Sequence, residues 1–310
     1  MAKHYTLLLL SIFFGVLMGF AQEPEYLTVA DFDLNGHVKS CKVITDYGSE
    51  VFEFDTLGRL IKNTTQYNKE DQDITVYKYD NDFLVERRME SYKNGQLDAA
   101  TSLANFFELD TTGNKSINEK VISYDKQFVE QQQFRYDEAN KLIGITISHL
   151  NAVDETTVEY AGYKNETTVT YFLNGVIQKS IRTSKAQQGA DGQEIKTVLT
   201  KEFLDGQPNS AVEETYDAKG HLLTNTFFVF DSSLDEFEVS EQNTNVYNEE
   251  GVLSKTLFKK GNSVLEKEFI FQFDDNPEKN WVKKIVTPDN TFITRKIEYY
   301  PSDAEEPKLD

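Results

Sequence analysis

Phe52 and Phe54, Tyr77 and Tyr79, Ile122 and Tyr124, Phe134 and Tyr136, and the triplet Phe269, Phe271 and Phe273 each stand two positions apart, mostly with charged or amide residues between them. Side chains two apart along a strand share a face, so each set predicts a half-buried antiparallel strand with its rings on one side. No long stretch carries a helical period. Leu97–Leu109 is the one segment where a short helix is conceivable, and the polar run Ser184–Glu194 reads as a loop. Beyond Tyr300 the acidic tail has little to bury and is expected to be disordered.

Between the strands one unit recurs: an aromatic, Asp or Asn, two free positions, Gly or Asn, one free position, then Leu or Val. It reads FDLNGHV from Phe32, FDTLGRL from Phe54, YDEANKL from Tyr136, YDAKGHL from Tyr216 and YNEEGVL from Tyr247, with weaker copies from Tyr79, Leu109, Tyr124 and Phe273. The Asp suits the first place of a type I turn, and Gly or Asn supplies the left-handed residue that closes a three-residue hairpin loop. The unit is therefore a hairpin tip, and its aromatic and its Leu are expected to face each other across the two strands. Copies mostly start ~20 to 30 residues apart, which signals an array of small repeated units.

The first 21 residues read differently. Lys3 precedes an apolar run from Thr6 to Phe20, with Gly19 and Ala21 before Gln22, the pattern of a cleaved export signal. Without Lys3 the chain holds 31 basic against 52 acidic residues, a net charge of −21, which repels nucleic acid and anionic lipid. One cysteine in an exported chain excludes an internal disulfide framework, so stability must come from burial and strand pairing.

The FDTLGRL, YDEANKL and YDAKGHL units resemble the YD repeats of RHS-like bacterial exported proteins, whose core is Tyr-Asp, two variable residues, Gly, Arg and Leu. DDNPEKNWVKKI, with Asn280 and Trp281, is similar to the terminal Asn-Trp unit of small exported bacterial proteins. The resemblance implies chains of β-hairpins that spiral. Small relatives would be associated with carbohydrate binding and cell-surface contact.

Candidate chemistry is sparse. Asp31, Asp33, Asn35 and Gly36 imitate the start of a calcium loop, but the twelfth place holds Lys42 where a bidentate Glu is required, so no metal site is expected. His37 and His221 follow the tip glycines and His149 stands apart, reading as turn residues rather than a catalytic set. Cys41 reads as a buried, inert thiol. An outer-membrane barrel would show the same alternation, but Glu214 shares a face with Tyr216 and Lys267 with Phe269, placing charge where lipid would lie.

The expectation is thus a single all-β domain over residues 22–300, built of consecutive antiparallel hairpins in a long twisted or curled sheet. Its expected role is non-catalytic and cofactor-free: binding a glycan or an envelope protein in the periplasm or at the cell surface, without crossing the membrane. A hydrolase using paired carboxylates and a structural envelope component are the alternatives, and no binding residue is singled out.

Overall fold

The computed structural model describes residues 26–45, 48–188 and 192–301. The expected export signal and residues 302–310 of the tail lie outside the described residues.

A 3₁₀ turn (Val29–Phe32) leads into β1 (Val38–Thr45), β2 (Gly48–Phe54), β3 (Leu60–Gln66), β4 (Gln72–Asp80), β5 (Phe83–Lys93) and the two-residue β6 (Gln96–Leu97). Next come β7 (Leu103–Asp110), β8 (Ser116–Ser123), β9 (Phe128–Tyr136), β10 (Leu142–Ser148), β11 (Val153–Tyr163), β12 (Glu166–Leu173) and β13 (Val176–Gln188). The chain ends with β14 (Gln193–Leu204), β15 (Gln207–Tyr216), β16 (Leu222–Asp231), β17 (Glu236–Tyr247), β18 (Leu253–Lys260), β19 (Ser263–Phe273), β20 (Trp281–Thr287) and β21 (Thr291–Tyr299). Leu97–Leu109, the one possible helix, is instead the end of β6, a turn over residues 98–102 and most of β7. The expected loop Ser184–Glu194 is mostly strand, because β13 and β14 pair in register from Gln188↔Gln193 onward.

Every strand pairs antiparallel with its neighbour in sequence, except that β5 passes over β6 to pair with β7. The last strand then pairs with the first, with Val43 opposite Arg295 and Cys41 opposite Ile297. With β6 attached only to β5, twenty of the 21 strands form a closed barrel. This corrects the expected open or curled sheet, and with it the expected YD-repeat spiral. The hairpins are as expected except at Phe32, whose copy forms the 3₁₀ turn and loop ahead of β1 rather than a tip between strands, and the edges a spiral would leave free are joined to each other. Closure removes the unpaired edge that an open sheet must otherwise protect.

The tips behave as their residues require. Asp55 Oδ1 accepts from the backbone N–H of Leu57 (3.0 Å) and Arg59 (2.9 Å) while Gly58 N donates to Asp55 O (3.0 Å), and Gly58 has φ +80°. The same bonds recur at Asp137, Asp217 and Asn248, where the left-handed place is filled by Asn140, Gly220 and Gly251. The aromatic–Leu pair is present as Phe54↔Leu60, Tyr136↔Leu142, Tyr216↔Leu222 and Tyr247↔Leu253, each beside a one-residue bulge.

Because strand direction alternates around the barrel, the tips that follow Phe54, Tyr79, Leu109, Tyr136, Tyr216, Tyr247 and Phe273 all lie on one rim. The copy at Tyr124 lies on the other, and its turn is displaced by two residues. Ser123 takes the Asp place, accepting from Gln127 N, Lys126 takes the Gly place at φ +66°, and Ile122 pairs with Phe128. Tyr124 is therefore a turn residue. Ile122, opposite Ala104, lies with Arg88 on the charged face rather than on the ring-bearing one.

The two faces are distinct. The aromatic face holds Phe52, Phe54, Tyr77, Phe134, Ile145 and Phe269, and the other is laced with cross-strand ion pairs such as Lys62–Glu53 (3.0 Å), Lys78–Glu86 (2.7 Å) and Arg135–Glu155 (2.8 Å). Twenty strands spaced ~4.8 Å apart and tilted ~40° enclose a radius of about 20 Å. Side chains pointing inward are crowded by that curvature. The most deeply buried rings, Phe54 and Phe134, and Ile145 belong to the aromatic face, which we therefore assign to the inner wall. Among the described residues, the strands make extensive contact only with their neighbours around the barrel. Burial is concentrated in two places: beneath the N-terminal turn, around Phe32, Leu34, Cys41, Phe52 and Leu60, and around Ile117, Phe134, Tyr136 and Ile145.

Candidate functional site

The residues singled out by sequence do not converge. His221 Nδ1 lies 2.8 Å from Asp217 Oδ2 and its ring stacks on Tyr247 at 4.6 Å, His149 lies 3.3 Å from Glu130, and His37 is exposed, its carbonyl accepting from Tyr300 N. His221 belongs to a rim pattern. The residue before the tip Leu covers a tyrosine of a nearby strand: Arg59 over Tyr79 (4.5 Å), Lys141 over Tyr160 (5.3 Å) and His221 over Tyr247. Each tyrosine hydroxyl in turn donates to the carbonyl of that Leu, at Leu60 (2.7 Å), Leu142 (2.9 Å) and Leu222 (3.0 Å). These tip side chains are thus rim staples.

The calcium-like stretch forms the seam. Asp33 Oδ2 accepts from Trp281 Nε1 (2.6 Å), Asn35 exchanges backbone bonds with the Asn280 amide (2.7 and 2.8 Å), and Asp31 closes the 3₁₀ turn by accepting from Thr28 N (2.7 Å). Arg295 donates to the carbonyls of Phe32 (2.9 Å) and Asp33 (3.0 Å). The acids that resembled metal ligands are spent on these contacts. Burial lowers the ammonium pKa of Lys284 and pushes the Cys41 thiol up to about 11, so Cys41 is a packed thiol in the seam wall.

A second polar group lies on the inner wall. Arg87 and Asn105 are direct cross-strand partners, Asn105 Nδ2 donates to Glu119 Oε1 (2.6 Å), and the Arg87 guanidinium lies 3.5 Å from the same carboxylate. Burial raises the Glu119 carboxyl pKa against the opposing pull of Asn105 and Arg87. Asn105 Oδ1 and Arg87 Nε are buried without a protein partner.

The third feature is a hollow on the charged face near the rim that bears the displaced Tyr124 turn. Ala104 stands in register between Arg88 of β5 and Ile122 of β8, and its short side chain leaves a cavity of about 200 Å³. Phe106 and Ile122 complete an apolar floor, and Tyr124, Glu90 and Lys126 stand around it. Sequence reasoning missed these residues. The available signal was the misfit of the Tyr124 copy, which lacks both the Gly and the spacing of the others.

The fold defines a closed antiparallel β-barrel. No family model matches the chain, and no curated protein does. Among solved structures, a porin-like protein from Bacteroides vulgatus ATCC 8482 aligns over 86% of this chain and 100% of its own length, at 10% identity and a TM-score of 0.25. A likeness that low carries neither fold detail nor function across.

Proposed function

We propose that this protein is a non-catalytic barrel of the cell envelope whose walls bind a glycan. The observation that carries this reading is the wall itself. Partly exposed tyrosines and phenylalanines stand beside planar amide, carboxylate and guanidinium groups around the barrel, the combination that grips the apolar faces and hydroxyl edges of sugars. The apolar start over residues 1–21 supports export. The separate structural employment of His149 and His221 supports a binding role over a catalytic one. Glycan-array binding by the purified chain, with no turnover of bound oligosaccharide, is the expected result. An array without signal removes the glycan, and product formation removes the non-catalytic assignment.

A pore through the outer membrane is the second reading, favoured by the even number of strands in a closed up-and-down ring. Charge weighs against it. Lys62, Lys78 and Arg88 lie within strands on one face and Arg87, Lys267 and Lys284 on the other, and a Lys or Arg at a bilayer midplane costs about 2–4 kcal/mol. Fractionation decides: release from membranes by high salt supports the water-exposed barrel, and extraction only by detergent supports the pore.

A further inference from the structure

We propose that the hollow walled by β5, β7 and β8 binds a single uncharged pyranose ring, an inference that rests on the glycan-binding reading. A cavity of about 200 Å³ is below the ~300–1,000 Å³ of sites for drug-sized ligands, so it admits one ring rather than a folded chain. Its floor is apolar because Ala104 and Phe106 of β7 and Ile122 of β8 share one face of two adjacent strands. The Tyr124 ring, 48% exposed, stands beside that floor because the displaced turn leaves it outside the sheet. A pyranose presents a ring of C–H groups to such surfaces and hydroxyls at its edge, where Glu90 and Lys126 supply an acceptor and a donor.

Charge selects the class. Glu86 holds Arg88 through two contacts (2.7 and 2.9 Å) and shares its carboxylate with Lys78 (2.7 Å), and Glu90 and Lys126 stand at the edge with opposite charge. The guanidinium is already held by a carboxylate, and the chain's net charge of −21 without Lys3 repels an acidic sugar, so an uncharged ring is the class selected.

The test uses the full chain after signal removal, with methyl β-glucopyranoside, N-acetylglucosamine and glucuronate as separate probes. Saturation-transfer NMR reports contact and calorimetry reports affinity. At least one uncharged sugar is expected to bind. Ala104→Phe, which fills the hollow, is expected to abolish that binding, and Tyr124→Ala to weaken it about tenfold. Should Ala104→Phe fold poorly by circular dichroism, Tyr124→Ala and Lys126→Ala, both on exposed turn residues, decide instead. Unchanged binding in the folded variants overturns the site and leaves the glycan reading standing, as does array binding of longer glycans with no response to either uncharged probe. Preference for glucuronate overturns the assigned class, and silence of both probes and array overturns site and reading together.

Discussion

The Arg295 guanidinium lies 3.5 Å from the centre of the Trp281 ring, and from that position donates to the carbonyls of Phe32 and Asp33. The stack fixes the guanidinium plane, and the plane aims two N–H groups at a turn more than 260 residues earlier in the chain. Arg295→Met keeps much of the packing but leaves two buried acceptors unpaired, so a loss of about 2–4 kcal/mol is expected in urea unfolding followed by circular dichroism. Arg295→Lys should fall between, since an ammonium keeps the charge and loses the fork. Equal stability of Arg295→Met and wild type would show that the clip does not hold the barrel closed.

Cys41 offers an independent report on the same seam. It is buried opposite Phe52 and Ile297, with its thiol held near 11 by burial despite the nearby Arg295 charge. At pH 8 the native protein should leave a thiol reagent unconsumed, and denatured protein should consume one equivalent. Arg295→Met is expected to raise the native labelling rate, because opening between β1 and β21 exposes the sulfur. A rate unaffected by the substitution would separate Cys41 exposure from seam opening.

At the tips the left-handed residue is the weak point. Gly220 has φ +88° with open space around its Cα, so a methyl group there meets strain from the backbone alone. Gly220→Ala should cost about 1–2 kcal/mol and Gly220→Asn distinctly less, as Asn140 already fills the equivalent place. Thermal unfolding of the pair measures the difference, and identical melting would mean that this tip does not constrain the fold.

Glu119 sets an acid-side prediction. Burial raises its folded pKa above the ordinary 4.5, so between those two values the folded state holds a proton that the unfolded chain releases. Stability should therefore rise as pH falls through that window, and Glu119→Gln should flatten part of the rise. Glu50 and Glu202, raised by burial as well, supply the remainder. Asp217 acts in the opposite direction. Burial works against its ionisation, but hydrogen bonds from His221 and Lys219 outweigh it and hold the carboxyl below 3.8, so its contribution is present above 3.8 and disappears as pH falls through the lowered value. A stability profile from pH 7 to 2 with an unchanged slope in Glu119→Gln would refute the assignment.

Local features were legible in the sequence because they depend on a few adjacent residues. The Asp55 and Asp217 turns, their left-handed glycines and the aromatic–Leu pairing follow from turn chemistry alone. Closure was not legible. It depends on the register between Val43 and Arg295, which no local pattern encodes, and on the summed curvature of twenty strands. The alternation around Ile122 and Tyr124 misled for a related reason: period two assigns a pair of residues to one face without saying which, and the turn displaced onto Ser123 moved the motif. The hollow was hidden because Ala104 matters through the side chain it lacks.

The pairing of β1 with β21 also fixes an order of events. The first strand to be synthesised gains its second neighbour only when the last has arrived, so throughout translation one flank of Val38–Thr45 stays available to any other extended chain. Correct closure of the ring is therefore a race between the chain's own last strand and a stranger's backbone.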